Sequence, residues 1–81
     1  MLNTRSECRS VIKGKVIPLS HASTLDILVH AALHDSNRDV AVSCIAEFER
    51  RQDNNLKTDK VHRAERNQQC IDYISHSIVS D

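Results

Sequence analysis

The chain has 81 residues, enough for one small helical domain (1–81), and at this length we expect a thin core and stabilisation by a partner. Eleven basic and eleven acidic residues cancel, which excludes the strong overall charge that draws a protein to nucleic acid or anionic lipid. With one Phe, one Tyr and no Trp, the core must be built from Leu, Ile, Val and Ala, and no apolar run is long enough to span a membrane.

The three cysteines, Cys8, Cys44 and Cys70, contain no CxxC pair and are odd in number. In a chain without an apolar N-terminal signal, this pattern is typical of free thiols in a reducing compartment. We therefore expect a cytoplasmic location and no disulfide.

The N-terminal segment differs from the rest, because Gly14 and Pro18 are the only glycine and proline in the chain. Residues 1–10 are polar and charged without a clear period, so we expect a flexible arm. In residues 10–19, two Val-Ile pairs flank Lys-Gly-Lys, which predicts either an extended segment packed on the helices or a short β-hairpin. From Leu19 onward, helix-forming residues without breakers predict α-helices.

The first helix is predicted over residues 24–34. Ser23 and Asp26 form a capping box, in which the hydroxyl caps a free amide and the carboxylate lies at the positive end of the helix. At 100° per residue, one apolar stripe results, and we expect it to face the core. The stripe consists of Leu25, Leu28, Val29, Ala32 and Leu33, and Ile27 and Ala31 extend it round the back, so we expect a central helix or one covered on a second side.

A second helix is predicted over residues 37–52, after a cluster of Asp, Ser and Asn in which Ser36 precedes Asp39 by three residues. This cluster competes for backbone hydrogen bonds, so we favour a break over one bent helix. The apolar positions of the second helix form a good stripe. They are Val40, Ala41, Cys44, Ile45 and Phe48.

A third helix is predicted over residues 58–79, after a loop at residues 53–57 and with Thr58 or Asp59 as its cap. Its isoleucine seam either completes the chain's own core or pairs with a second copy. The seam consists of Ile71, Ile74 and Ile78. The fold class is therefore all-α: a small three-helix bundle or helical hairpin behind the N-terminal segment.

Few residues carry a pattern for chemistry. His30 and His34 are four apart on one helical face with Asp26 one turn earlier, a spacing at which two imidazoles can reach one metal ion. They are weak candidates, because no glutamate lies between them in an HExxH arrangement and no third ligand follows from the spacing. No spacing selects a cysteine–histidine pair either, so we expect no metal, no cofactor and no enzymatic activity.

Basic residues concentrate near the end of the second helix and the start of the third, with Asn67 following them. We interpret this set as partner-binding residues. The set is Arg50, Arg51, Lys57, Lys60, Arg63, Arg66 and Asn67.

Two functions fit these basic residues. We favour a non-enzymatic interaction protein, a homodimer that acts as a regulator, adaptor or inhibitor of a larger protein, of the kind that phages and mobile elements carry. The alternative is a regulator that binds nucleic acid through residues 50–66. The interleaved acids Asp53, Asp59 and Glu65 weaken this alternative.

Overall fold

The computed structural model describes the backbone of residues 3–79 and the side chains of residues 3–76. Two short strands come first, β1 (Glu7–Arg9) and β2 (Val16–Pro18), followed by a 3₁₀ turn at Leu19–His21. Three helices follow in the order α1 (Thr24–Leu33), α2 (Arg38–Lys57) and α3 (Val61–Val79). The predicted all-α class with three helices and a short extended N-terminus is confirmed.

The extended N-terminal segment is a β-hairpin. Strands β1 and β2 are antiparallel, with Cys8 opposite Ile17, and Gly14 adopts a φ of +67° in the connection. Of the extended structure predicted over residues 10–19, β2 is present. Its pairing partner is β1 at residues 7–9 and not the first Val-Ile pair, Val11 and Ile12. These two residues lie exposed in the connection between the strands. Because Cys8 is fully buried, the segment expected to be a flexible arm contributes to the core from β1 onward.

Helix α1 begins as predicted but is rotated relative to our expectation. The Ser23 hydroxyl accepts from the Asp26 amide at 3.2 Å and the Asp26 carboxylate accepts from the Ser23 amide at 3.2 Å, which confirms the capping box. The buried residues of α1, however, are Asp26, Ile27 and His30. Only the predicted extension of the apolar stripe reaches the core, since Ile27 is fully buried and Ala31 packs against it. For the stripe itself the prediction is wrong: Leu25, Val29 and Leu33 are 56%, 36% and 74% exposed, Ala32 is exposed and Leu28 is half-buried.

Hydrogen bonds to the N-terminal segment explain this rotation. The Asp26 carboxylate accepts from the Val11 amide at 2.7 Å, and His30 Nε2 lies 2.9 Å from the Thr4 carbonyl oxygen. Backbone amide and carbonyl groups that are buried on folding need hydrogen-bond partners. In this protein Asp26 and His30 of α1 provide these partners, so the polar side of α1 faces the N-terminal segment.

The predicted break between the first two helices is confirmed. The chain turns at residues 34–36, and the Asn37 side chain accepts from the amides of Asp39 at 3.0 Å and Val40 at 3.3 Å. The cap of α2 is therefore Asn37 and not the Ser36 of the sequence pattern.

Helix α2 continues through residues 53–57, so the loop predicted there is wrong. An ion pair between Lys57 and Asp53, 3.2 Å long, spans the last turn of the helix. The Asp59 amide donates to the Leu56 carbonyl and the Lys60 amide donates to the Asn55 carbonyl, which is the Schellman pattern of a helix end. Thr58 and Asp59 thus end α2 instead of capping α3.

The core lies mainly between α2 and α3, the most extensively packed pair of elements, and α1 and the hairpin close one side of it. Phe48, Ile27 and Val40 are the largest fully buried side chains. Ile74 is buried in this core and Ile71 packs against it, so these two seam residues belong to the chain's own core. The side chain of Ile78 lies outside the described residues. Within residues 3–79, no helix combines the length and the apolar character needed to cross a bilayer.

Asp59 adopts a left-handed backbone conformation with a φ of +57°, which favours glycine. We expect Asp59→Gly to stabilise the protein by about 1 kcal/mol, a rise of several degrees in the melting temperature for a domain of this size. Asp53→Gly, which places glycine inside α2, should lower the melting temperature by a similar amount. Thermal unfolding followed by circular dichroism checks both, and a destabilised Asp59→Gly variant would contradict this geometry.

The Asp26 carboxylate should hold the hairpin on α1. We expect Asp26→Ala to lower the melting temperature and to speed hydrogen exchange at the amide of Val11, which loses its acceptor. Asp35→Ala, at an exposed position after α1, serves as the control. Unchanged exchange at Val11 in Asp26→Ala would show that another group holds the hairpin.

Candidate functional site

A polar cleft of about 360 Å³ lies where the start of α1, the second half of α2 and the first half of α3 meet. We call it the arginine cleft, because four of its side chains are arginines. Its lining residues are Thr24, Arg50, Arg51, Asn54, Asn55, Arg63, Arg66 and Asn67. Five of the seven residues that the sequence indicates for partner binding therefore come together, whereas Lys57 and Lys60 lie exposed outside the lining.

Two of the four arginines share one carboxylate. Arg50 binds Glu47 through Nη2 at 2.6 Å and Nε at 3.3 Å, and Arg51 Nε binds the same carboxylate at 2.7 Å. Burial opposes ionisation of Glu47, but the hydrogen bonds and positive charges of Arg50 and Arg51 outweigh it and hold the Glu47 pKa below its usual value. The Arg50, Arg51 and Glu47 group thus retains one net positive charge at the cleft.

Arg51 also has a structural role. Its Nη2 donates to the carbonyl oxygens of Leu19 at 3.0 Å and Ala22 at 2.5 Å, at the two ends of the 3₁₀ turn. This side chain therefore fastens the entry to α1 onto α2, and its guanidinium has few donors left for a ligand.

Arg63 and Arg66 differ from this pair. Both are exposed, they lie three residues apart on α3, and neither forms an ion pair or hydrogen bond with the residues that the structure describes. The positive charges of these two guanidinium groups are not neutralised by any carboxylate among the described residues. They are therefore the strongest candidates for contact with an anionic partner.

The asparagines of the cleft come from both long helices. Asn67 is buried between α2 and α3, where the helical pattern would place an apolar residue. Asn54 and Asn55 reach the cleft because α2 continues past residue 52. The sequence did not indicate Asn54 and Asn55, because residues 53–57 were predicted to form a loop. A segment rich in asparagine is typical of loops.

A second concave surface lies beside the first. It is an apolar groove of about 370 Å³ between α1 and α3, which we call the α1–α3 groove. Its lining residues are Leu28, Val29, Ala32, Arg66, Gln69, Cys70 and Tyr73. Arg66 lines both surfaces, so a polar and an apolar surface meet at one side chain. The sequence did not indicate this groove, because its α1 residues belong to the stripe assigned to the core.

The candidate metal residues serve the fold. The rings of His30 and His34 meet edge to face with centroids 4.8 Å apart, and the hydrogen bonds of Asp26 and His30 go to the backbone. Among residues 3–76, no group of three His, Cys, Asp or Glu side chains lies close enough to hold a metal ion.

The cysteines are buried thiols. Burial raises the pKa of Cys8, Cys44 and Cys70, in the case of Cys44 to about 11. For Cys70 the nearby charge of Arg66 opposes this rise in pKa. The reactive thiolate is therefore disfavoured at neutral pH.

Comparison with models of known protein families, with curated proteins and with solved structures finds no match for this chain.

The Glu47 carboxylate, whose pKa is lower in the folded than in the unfolded chain, should stabilise the fold above its usual pKa of 4.5. This contribution is lost as the pH falls through the folded pKa. We expect Glu47→Gln to cost about 1 kcal/mol at pH 7, with solvent screening allowed for, and the difference from wild type to shrink below pH 4.5. Melting temperatures between pH 3 and pH 7 test this, with Glu49→Gln on exposed α2 surface as the control.

Proposed function

We propose that this protein is a non-enzymatic interaction module that binds an acidic surface of a larger protein at the arginine cleft. The observation that carries the proposal is the position of Arg63 and Arg66, two guanidinium groups in one cleft without a carboxylate among the described residues. Acting on a larger protein in this way, the chain would serve as a regulator, adaptor or inhibitor in the cytoplasm.

The chemistry of the cleft suits carboxylates. One guanidinium can donate two parallel hydrogen bonds to a carboxylate. Arg63 and Arg66 lie one helical turn apart on α3, so each can bind a carboxylate of the same acidic surface. The amides of Asn54 and Asn55 add neutral donors beside them. Thr24 places the start of α1 at the cleft, where the positive end of the helix also favours an anion.

The lining of the cleft supports binding more than catalysis. Among the described residues that line it, none is a carboxylate, a histidine or a cysteine, the side chains that most often act as general base or nucleophile.

Nucleic acid is the second candidate partner, because guanidinium groups bind phosphate as well as carboxylate. Two observations favour the protein partner. Lys57 and Lys60 lie outside the lining, so the basic set does not form one continuous track for a phosphate backbone. Glu47 also neutralises part of the charge of Arg50 and Arg51.

The test is affinity capture from host extract with the tagged full chain, comparing wild type with Arg63→Glu/Arg66→Glu. We expect a specific larger protein that wild type retains and the cleft variant loses, since buried arginine contacts contribute roughly 2 kcal/mol or more, over tenfold in affinity. Lys13→Glu/Lys15→Glu makes the same change of charge on the exposed hairpin connection and should leave capture intact. Equal capture by all three chains would reject the cleft as the binding site.

Titration of labelled DNA and RNA oligonucleotides at rising salt tests the nucleic-acid candidate. Phosphate binding predicts an affinity that falls steeply with salt and disappears in Arg63→Glu/Arg66→Glu. We expect no binding at 50 mM salt. Salt-dependent binding that needs Arg63 and Arg66 would replace the protein partner with nucleic acid.

A further inference from the structure

Asn67 lines the arginine cleft as a buried carboxamide that forms no hydrogen bond with the described residues. We propose that this carboxamide binds the main chain of an extended acidic segment of the partner protein, while Arg63 and Arg66 bind carboxylates of the same segment. This contact rests on the proposed function and deepens it, because the partner then inserts an extended stretch of chain into the cleft instead of presenting a folded surface.

The state of the Asn67 side chain is the first observation. It is 7% exposed, and no residue that the structure describes forms a hydrogen bond with it. Among the described residues, no fully enclosed side-chain nitrogen or oxygen lacks a partner, so the Asn67 amide still reaches the water of the cleft. A carboxamide has two donors and an acceptor, and burying it without partners costs free energy. Its place between α2 and α3 therefore points to a ligand that supplies the partners.

The neighbouring carboxamide, Gln68, has a structural role. Its side chain accepts a hydrogen bond from Gln52 Nε2 at 2.9 Å and donates one to Asp72 Oδ1 at 2.8 Å, so it links α2 to α3. Gln68 is exposed and lies outside the cleft lining. Asn67 is more buried and yet makes no such link. The contact between the helices thus uses Gln68 and leaves Asn67 for a molecule that enters the cleft.

The depth of Asn67 limits the shape of that molecule. A flat folded surface can touch the exposed side chains of Arg63 and Arg66, but it cannot reach an amide on a side chain that is only 7% exposed. The cleft volume of about 360 Å³ is at the lower end of the range for ligand sites, so the cleft accommodates a few residues of chain. The part of a protein that fits is therefore a narrow segment of polypeptide.

The hydrogen-bonding chemistry of the cleft matches a peptide main chain. Asn54, Asn55 and Asn67 each offer both donors and an acceptor. A peptide chain also carries donor N–H and acceptor C=O groups, so a carboxamide can pair with it twice, as a neighbouring strand does. In an α-helix these main-chain groups are already paired within the helix, so the bound segment must be extended.

Phosphate and nucleobases match the cleft less well. Oxygens of a phosphodiester only accept hydrogen bonds, so they leave the carbonyl oxygens of the three asparagines without donors. A nucleobase has donors and acceptors, but single-stranded bases are bound by stacking on aromatic rings. None of the described residues that line the cleft is aromatic. An acidic peptide, in contrast, suits both the arginines and the asparagines.

Nuclear magnetic resonance of the full ¹⁵N-labelled chain tests the contact directly. The probe is tetraglutamate with acetylated and amidated ends, and its matched control has the same four carboxylates but N-methylated peptide groups. We expect tetraglutamate to shift the side-chain amide resonances of Asn67 and the Nε resonance of Arg66 in a saturable titration. The N-methylated peptide should bind about tenfold more weakly, because it loses N–H donors at unchanged charge.

Two variants separate recognition from a structural role. Asn67→Leu should bind tetraglutamate about fivefold more weakly and lose most of the preference over the N-methylated peptide. Its melting temperature should be unchanged or higher, since an apolar side chain replaces a buried amide without partners. Gln68→Leu is the matched control and should keep the affinity of wild type. A lower melting temperature of Asn67→Leu with unchanged binding would assign Asn67 to the fold.

Three further results would overturn the proposal. They are no saturable shift of the Asn67 amide up to about 5 mM tetraglutamate, equal affinity of wild type for the two peptides, and a larger shift of that amide with oligoadenylate. Affinity capture distinguishes this failure from failure of the proposed function. Capture that depends on Arg63 and Arg66 but is equal for Asn67→Leu means a folded acidic surface and rejects the extended segment alone. Capture that does not depend on the arginines rejects the proposed function itself.

Discussion

The Asp26 carboxylate determines how the rest of the molecule is arranged around α1. It accepts hydrogen bonds from the Ser23 amide at the helix start and from the Val11 amide of the hairpin, so one side chain both begins the helix and anchors the N-terminal segment. The hydrogen bond from Val11, together with the contacts to Ser23, outweighs burial and holds the Asp26 pKa below its usual value, which keeps the carboxylate charged and a strong acceptor. His30 makes the parallel contact one turn later, at the Thr4 carbonyl.

This anchoring has a consequence on the opposite side of the helix. Because α1 satisfies the backbone of the hairpin with its polar side, the apolar side turns to solvent next to α3. The buried polar contacts and the exposed apolar side of α1 therefore follow from the same few hydrogen bonds.

A second set of contacts assembles the arginine cleft. Glu47 orients Arg50 and Arg51, and Arg51 ties α2 to the 3₁₀ turn that leads into α1. Arg63 and Arg66 approach from α3 and find no carboxylate among the described residues. The cleft thus contains one arginine that ties α2 to the 3₁₀ turn, one that pairs with Glu47 on its own helix, and two without a carboxylate among the described residues, a distinction that their identical chemistry hides in the sequence. The proposed contact with a partner therefore rests on Arg63 and Arg66.

The sequence by itself determined the helical class, the Ser23 capping box, the break after α1 and the clustering of basic residues, because each depends on neighbours within a few positions. Only the tertiary structure decided which face of α1 is buried. A periodic pattern shows that the helix has two faces, but it does not show that backbone groups of the N-terminal segment need hydrogen-bond partners from the polar face. The same holds for the end of α2. Local composition at Asn54 and Asn55 favours a loop, yet packing against α3 and the Lys57 ion pair extend the helix and bring both asparagines into the cleft. Local signals fix where helices form, whereas the hydrogen bonds and contacts between distant segments fix which side chains lie together at the surface.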